Sequence, residues 1–359
     1  MDDNAPTRKN HELYQWLLRK IQSGAYEHLR FPGERVLAKQ HNVSRTTVRH
    51  ALRDLQANGY ITSTERFSRH VPADKFRKLK FLWLSSTPLD MESPSRLKNF
   101  EMLQRRINCR GDELVSEILH FDASDIRIID SLGDYDGIVL SGIFSQSILP
   151  EIRNALKKCH NVVSIQNAGD IATASCSTNN WMIGEIAASY LLDCGFEHIA
   201  VLGISPTLNR NYFIERINGF ISYCMKHAQD PKTFQMVLAK NKKSLQDPTS
   251  VVLPLYKQGV RAIFAITDHL AIKCIQALTQ AGVKVPENIS VLGCDNLESG
   301  ADAPVPLTTF SHPYEEITEF ILEKLYENLK GHRRKEPVHI SISPKLVERK
   351  SVRHRPNGS

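Results

Sequence analysis

Residues 42–61 read N-V-S-R-T-T-V-R-H-A-L-R-D-L-Q-A-N-G-Y-I, a helix with two unlike faces. Ser44 is placed to cap it, its side-chain oxygen accepting a backbone N–H from the first turn. Val48, Leu52 and Leu55 fall at i, i+4 and i+7 and form one apolar stripe. Arg45, Thr46, Arg49 and Arg53 are left on or near the opposite side. Asn58-Gly59 stops the helix, and Tyr60-Ile61-Thr62-Ser63 alternates as a strand does. Upstream, His11 to Ser23 repeats Leu13, Trp16 or Leu17, and Ile21 at helical spacing, with Gly24 as a stop. A second short helix is expected from near Pro32, carrying Val36 and Leu37 inward. Helix, helix, turn, helix and a short hairpin make a small winged helix-turn-helix domain over residues 1–72. Short donors at a helix N-terminus, flanking cations and an apolar back suit contact with double-stranded DNA. A helix N-terminus attracts phosphate, and arginine binds guanine through two hydrogen bonds.

Charge supports the same division. Residues 1–78 hold 15 Lys and Arg against 8 Asp and Glu, residues 79–329 hold 22 against 29, and residues 330–359 hold 9 against 2. A basic head on an acidic body points to a polyanion met by the head. Residues 73–79 are short and polar and read as a linker. From residue 80 onward, apolar runs alternate with helical segments. Phe81–Leu84, Gly137–Leu140, Val162–Ile165, Ile199–Leu202, Ala262–Ala265 and Ser290–Leu292 read as strands, and 184–194, 215–227 and 269–281 as helices. Short strands apolar on both faces with helices between them mean parallel α/β sheets. Residues 80–359 hold too many for one comfortable sheet. Two parallel-sheet lobes are expected, with a ligand in the cleft at the strand C-termini.

Several classes are excluded. The first 30 residues are polar and no apolar run approaches a membrane span, so neither a signal peptide nor a membrane partner is expected. The seven cysteines are odd in number, widely spaced and lack C-x-x-C, as for reduced thiols in a cytoplasmic protein. Phosphate-loop, dinucleotide, zinc-protease and nucleophile-elbow motifs are all missing. No cofactor, metal or catalytic residue is assigned, and an enzyme is not expected.

Residues 13–71 resemble the DNA-binding head of GntR-type bacterial regulators. The likeness lies in Leu13-Tyr14, Ile21-x-x-Gly24, Arg30-Phe31-Pro32-Gly33-Glu34-Arg35-x-Leu37-Ala38, Val43 to Leu55 and Gly59-Tyr60-Ile61. It implies that Arg35, Ser44, Arg45, Thr46, Thr47 and Arg49 reach DNA. The chain departs from that pattern at Glu27-His28 and in the wing, where Arg66-Phe67-Ser68 stands for a G-x-G. Glycine there lets backbone approach the minor groove. Arg66 and Arg69 remain to bind phosphate.

The body is similar to the effector domain of LacI-type regulators, themselves similar to periplasmic sugar-binding proteins. The likeness runs through Asp136-Gly137-Ile138, Asn179-Asn180-x-x-x-Gly184, Glu215-Arg216-x-x-Gly219-Phe220, Thr267-Asp268-x-x-Ala271, the run from Gly282 to Asn296, Leu307 to Phe310, and Leu346 to Ser351. Head and body together resemble the arabinose-repressor-like subgroup. The likeness places Arg216, Thr267 before Asp268, and Asp295 on the effector. Phe144, and Tyr212 or Phe213, are the aromatic rings for the apolar face of a sugar. The resemblance implies a ligand-responsive transcriptional repressor of carbohydrate uptake or catabolism genes. It would act as a homodimer on a palindromic operator and be released by a small sugar-like effector. Thr267 and Asn179 depart from the usual asparagine and aspartate. They support the alternative of a regulator with a non-sugar or lost effector site, controlled by a partner protein.

Overall fold

The computed structural model describes residues 8–22, 26, 31–63, 69–71, 78–86, 94–120, 122–143, 148–204, 211–227, 234–239, 247–329 and 336–353. Arg66, Phe144 and most of the linker lie outside the described residues. In the head, α1 (Arg8–Gln22), α2 (Glu34–His41) and α3 (Arg45–Ala57) enclose Leu13, Leu17, Ile21, Leu37, Val48, Leu52 and Leu55. Strands β1 (Thr62–Ser63) and β2 (Arg69–His70) pair antiparallel as the wing. Ile61, just before β1, is fully buried in the head core.

One open alternative is decided, and two details differ from the sequence expectation. Leu17 takes the core position, while Trp16 is half-buried against the His41 ring at 4.2 Å. The second helix starts at Glu34, two positions beyond Pro32. Val36, expected inside, is 58% exposed, whereas Leu37 is fully buried. Neighbouring helical residues sit about 100° apart, and with Leu37 turned into the core Val36 falls on the outer side of α2.

The body has two all-parallel sheets. The first contains β3 (Lys80–Ser85), β4 (Glu113–Ile118), β5 (Gly137–Ser141), β6 (Val162–Ile165), β7 (Ala174–Thr178) and β13 (Val338–Ile342), in the order β13-β7-β6-β5-β3-β4. The second contains β8 (Ile199–Ile204), β9 (Phe234–Ala239), β10 (Ala262–Ala265) and β11 (Ser290–Leu292), in the order β11-β10-β8-β9. A short antiparallel pair, β12 (Thr309–Ser311) and β14 (Lys345–Val347), adjoins the second sheet through the Leu292–Thr308 bridge. Buried apolar clusters flank each sheet, as the double-sided hydrophobic strands require.

Helices α4 (Pro94–Asn108), α5 (Ile128–Ser131), α6 (Pro150–Lys158) and α12 (Tyr314–Leu329) belong to the first lobe. Helices α7 (Asn180–Asp193), α8 (Asn211–His227), α9 (Thr249–Lys257), α10 (Asp268–Gln280) and α11 (Glu298–Ala301) belong to the second. The chain passes between lobes at β7–α7, β12–α12 and β13–β14. Two of these crossings are tied together, because the Asn179 N–H donates to the Ile342 carbonyl at 2.8 Å. The strands absent from the sequence reading, β4, β7, β9 and β12 to β14, are mostly short or at sheet edges, where partial exposure breaks the apolar run.

Candidate functional site

In the head, Ser44 caps α3 by accepting the Thr47 N–H at 3.0 Å, and its hydroxyl also meets that of Thr47 at 2.8 Å. Arg35, Arg45, Thr46 and Arg49 are exposed, whereas Val48 and Leu52 of the same unit are buried. The sequence reading missed Glu34. Its carboxylate accepts from Arg49 of α3 at 3.2 Å and from Arg69 of β2 at 3.1 Å. Burial raises its pKa, but the hydrogen bonds from Arg69 and Arg49 outweigh that and hold it below the usual carboxylate range. The signal is present in the sequence: Glu34 lies beside Arg35 in the Pro-Gly-Glu-Arg run.

The cleft between the lobes is lined from both. The first lobe supplies Ser95, Arg96 and Asn99 from α4, Ile165 and Gln166 at the end of β6, and Ser177 and Thr178 at the end of β7. Tyr212 and Arg216 of α8 face them, with Asn180 and His312 from the crossings. Arg216 is buried. It donates through Nε to Asn180 Oδ1 at 2.9 Å and through Nη1 to the Ile266 carbonyl at 2.5 Å, and it lies 3.6 Å from Asp295 Oδ1. Its guanidinium stands 5.8 Å from the ring centres of both Tyr212 and Phe213.

His312 joins the two halves. Nε2 lies 3.1 Å from Asp295 Oδ1, and Nδ1 lies 3.0 Å from Thr178 Oγ1. Nε2 also lies 3.5 Å from Arg216 Nη2, but its contact with the carboxylate, which only accepts, is the shorter. This favours the tautomer with the proton on Nε2 and Nδ1 accepting from the threonine hydroxyl. Desolvation, with a contribution from Arg216, holds the imidazole pKa below its ordinary range against the pull of Asp295. Cys294, Asp295 and His312 are close enough to suggest a cation, with ligand atoms within 4.8 Å of one another. The Arg216 guanidinium already stands at that carboxylate, and a metal ion would lie against it.

Two acceptors that line the cleft, Asn99 Oδ1 and Gln166 Oε1, are buried without a hydrogen-bond partner among the described residues. Leaving such groups unpaired costs about 1–3 kcal/mol each, so a molecule that donates hydrogen bonds here gains from their pairing. Gln166 (φ 130°) and Asp295 (φ 134°) both hold backbone conformations that side chains rarely adopt. Strain of this kind gathers at binding sites and is upheld by the surrounding structure.

Of the residues the sequence reading assigned to the effector, Arg216 and Tyr212 line the cavity; Asp295 does not line it but contacts two lining residues, Arg216 at 3.6 Å and His312 at 3.1 Å. Thr267 and Asp268 do not line it. Thr267 caps α10, its hydroxyl accepting the Leu270 N–H at 3.3 Å. Asp268 is fully buried, accepts from Leu297 N–H at 2.8 Å and from the Thr309 hydroxyl, and donates its own N–H to the Cys294 carbonyl at 2.6 Å. It holds the turn that carries Asp295. Desolvation pushes its pKa up to about 6, against the hydrogen bonds from Thr309 and Leu297. A carboxyl whose folded pKa exceeds its unfolded value binds more protons when folded, so stability falls as pH rises between the two values. Wild-type stability relative to Asp268→Asn should thus drop between pH 4 and pH 7, by on the order of 3 kcal/mol. Urea denaturation across that range checks it; parallel pH curves for the two proteins would contradict the assignment.

Residues 9–71 match the family described as bacterial regulatory proteins, gntR family, and residues 188–352 match the periplasmic binding protein-like domain. The HTH-type transcriptional repressor PurR of Vibrio vulnificus (strain CMCP6) is 28% identical over 225 residues, covering 61% of this chain and 64% of its own. That of Vibrio atlanticus (strain LGP32) is 28% identical over 174 residues, 47% and 50% of the two chains. The chain thus spans between half and two thirds of these curated relatives. The solved complex of the transcriptional regulator CelR with cellobiose covers 93% of this chain and 99% of its own, with TM-score 0.63 and 18% identity. A LacI family transcriptional regulator from Enterococcus faecium with bound ribose covers 77% and 100%, with TM-score 0.64 and 18% identity. At such identities the likeness is one of fold. No helix among the described residues is long and apolar enough to cross a membrane.

Proposed function

We propose, from the premise that the chain joins a GntR-type helix-turn-helix head to a periplasmic-binding-protein-like body, that it is a ligand-responsive transcriptional regulator, acting as a repressor. The observation that carries the ligand half is the cleft, lined by a buried guanidinium and by two buried acceptors that lack partners among the described residues. A polyol satisfies both sides, since each hydroxyl donates one hydrogen bond and accepts others. A sugar or sugar derivative is accordingly the effector class, in keeping with the ribose and cellobiose in the two fold neighbours. Calorimetric titration of the full chain with pentoses, hexoses and disaccharides tests it. If no sugar binds and a lysate protein alone alters DNA affinity, control by a partner protein replaces this reading.

The head supports operator binding through α3. Arg45→Ala and Arg49→Ala should each weaken binding to a cognate duplex by about 1–3 kcal/mol, the worth of a bidentate base contact. Gel-shift titration at fixed salt measures it, and wild-type affinity in both variants would remove α3 from the interface. One head covers only a short half-site, so a homodimer on a palindromic operator follows. Sedimentation of the protein on such a duplex should show two chains bound, and one chain at saturation would rule the dimer out.

A further inference from the structure

We infer that Glu34 is a specificity-determining positioning residue, bracing Arg49 of α3 against Arg69 of the wing so that base reading is favoured over loose phosphate binding. The inference rests on the DNA-binding reading of the head. Its observations are geometric. Glu34 Oε2 takes Arg49 Nη2 and Glu34 Oε1 takes Arg69 Nη2, so each carboxylate oxygen is committed to a different element. The glutamate side chain is 17% exposed, whereas that of Arg49 is 54% exposed. The acid is thus tucked beneath the arginine that presents to solvent.

A guanidinium carries five N–H groups, and a guanine edge needs two of them. One bond to Glu34 holds the side chain in place and leaves enough donors for a base. An arginine already held loses less freedom on binding than a mobile one. The carboxylate also repels phosphate, so a head docked without its correct base brings a negative charge to the backbone with no gain in return. Discrimination comes from such a penalty as much as from attraction. Arg69, held by the other oxygen, fixes the wing relative to α3 and hence the angle at which both approach the duplex.

The test begins with duplexes selected by the wild-type full chain from a randomised pool. Affinities for a selected duplex and a scrambled one are then measured by fluorescence anisotropy for wild type, Glu34→Gln and Glu34→Ala. Both variants should bind the scrambled duplex more tightly and lose about ten-fold or more of the ratio between the two, the lower range of one bidentate contact. The lost preference should fall at the base pair whose preference Arg49→Ala also removes. The double variant Glu34→Gln/Arg49→Ala should lose little more than Arg49→Ala alone, as coupled residues do.

An unchanged ratio overturns the inference. So do affinities that rise together, which would make Glu34 a bare charge, or fall together with the thermal midpoint, which would make it a fold residue. Should the Glu34 variants not fold, Arg69→Met probes the brace from its other end, and undiminished discrimination there counts equally against it. If the wild-type chain enriches no duplex, the DNA-binding reading fails and the brace with it; enrichment with an unchanged ratio removes the brace alone.

Discussion

Gly184→Ala should destabilise the body by about 3 kcal/mol or more, although alanine is the better helix former. Gly184 lies within α7 against α8. A Cβ there would stand 2.0 Å from the Arg216 carbonyl oxygen and 2.5 Å from the Phe220 nitrogen. These are backbone atoms, so no rotamer change relieves the clash, and the helices must separate. Helix propensity returns about 1 kcal/mol per residue, less than the overpacking removes. Gly219 makes the reciprocal approach, its Cβ falling 2.1 Å from the Trp181 carbonyl oxygen. Gly219→Ala should therefore behave alike. Since α8 carries Tyr212 and Arg216, the displacement acts on the cleft too. Urea unfolding gives the stability, and midpoints equal to wild type in both variants would show that the two helices tolerate a wider spacing.

The same seam shows what sequence made visible. Arg216 and Gly219 share one motif and Gly184 belongs to another, earlier in the chain, so a motif reading names all three but not their contact. That the glycines let two backbones meet and thereby aim Arg216 needs the packing of α7 on α8. The double-sided strands were plain because burial on both faces demands unbroken apolar residues, as in Ile138–Leu140 and Ala262–Ala265. β13 was not, since its middle residues His339, Ile340 and Ser341 are exposed at a sheet edge. The site divides similarly. Arg216 and Asp295 stand in the second lobe, where local motifs are dense. Asn99, Gln166 and His312 enter the cleft from separate elements with no spacing to link them. Asp268 illustrates the opposite case: adjacent to Thr267 in a familiar run, it serves the turn beneath the site rather than the cavity.

Asp295→Asn should leave effector-free operator affinity within about two-fold while raising the effector concentration needed for release by roughly ten- to hundred-fold, the worth of a charged hydrogen bond. The asparagine oxygen still accepts from His312 Nε2, so the bridge to Thr178 survives. Lost is the negative charge 3.6 Å from Arg216. Arg216→Met is harsher, because it strips a buried guanidinium from Asn180 Oδ1 and the Ile266 carbonyl and leaves both acceptors unpaired. It should abolish effector binding and lower stability by about 2–5 kcal/mol. A ligand shifts an equilibrium only by its differential affinity for the two states. Residues that touch both lobes through one network are where that difference arises. Asp295, His312 and Thr178 form such a network across two crossings, so an effector that engages it would bias closure of the cleft. Operator titrations with and without a sugar found by calorimetry separate the two variants. Should Asp295→Asn release DNA at the wild-type effector concentration, the effector does not engage this network, and the cleft assignment falls.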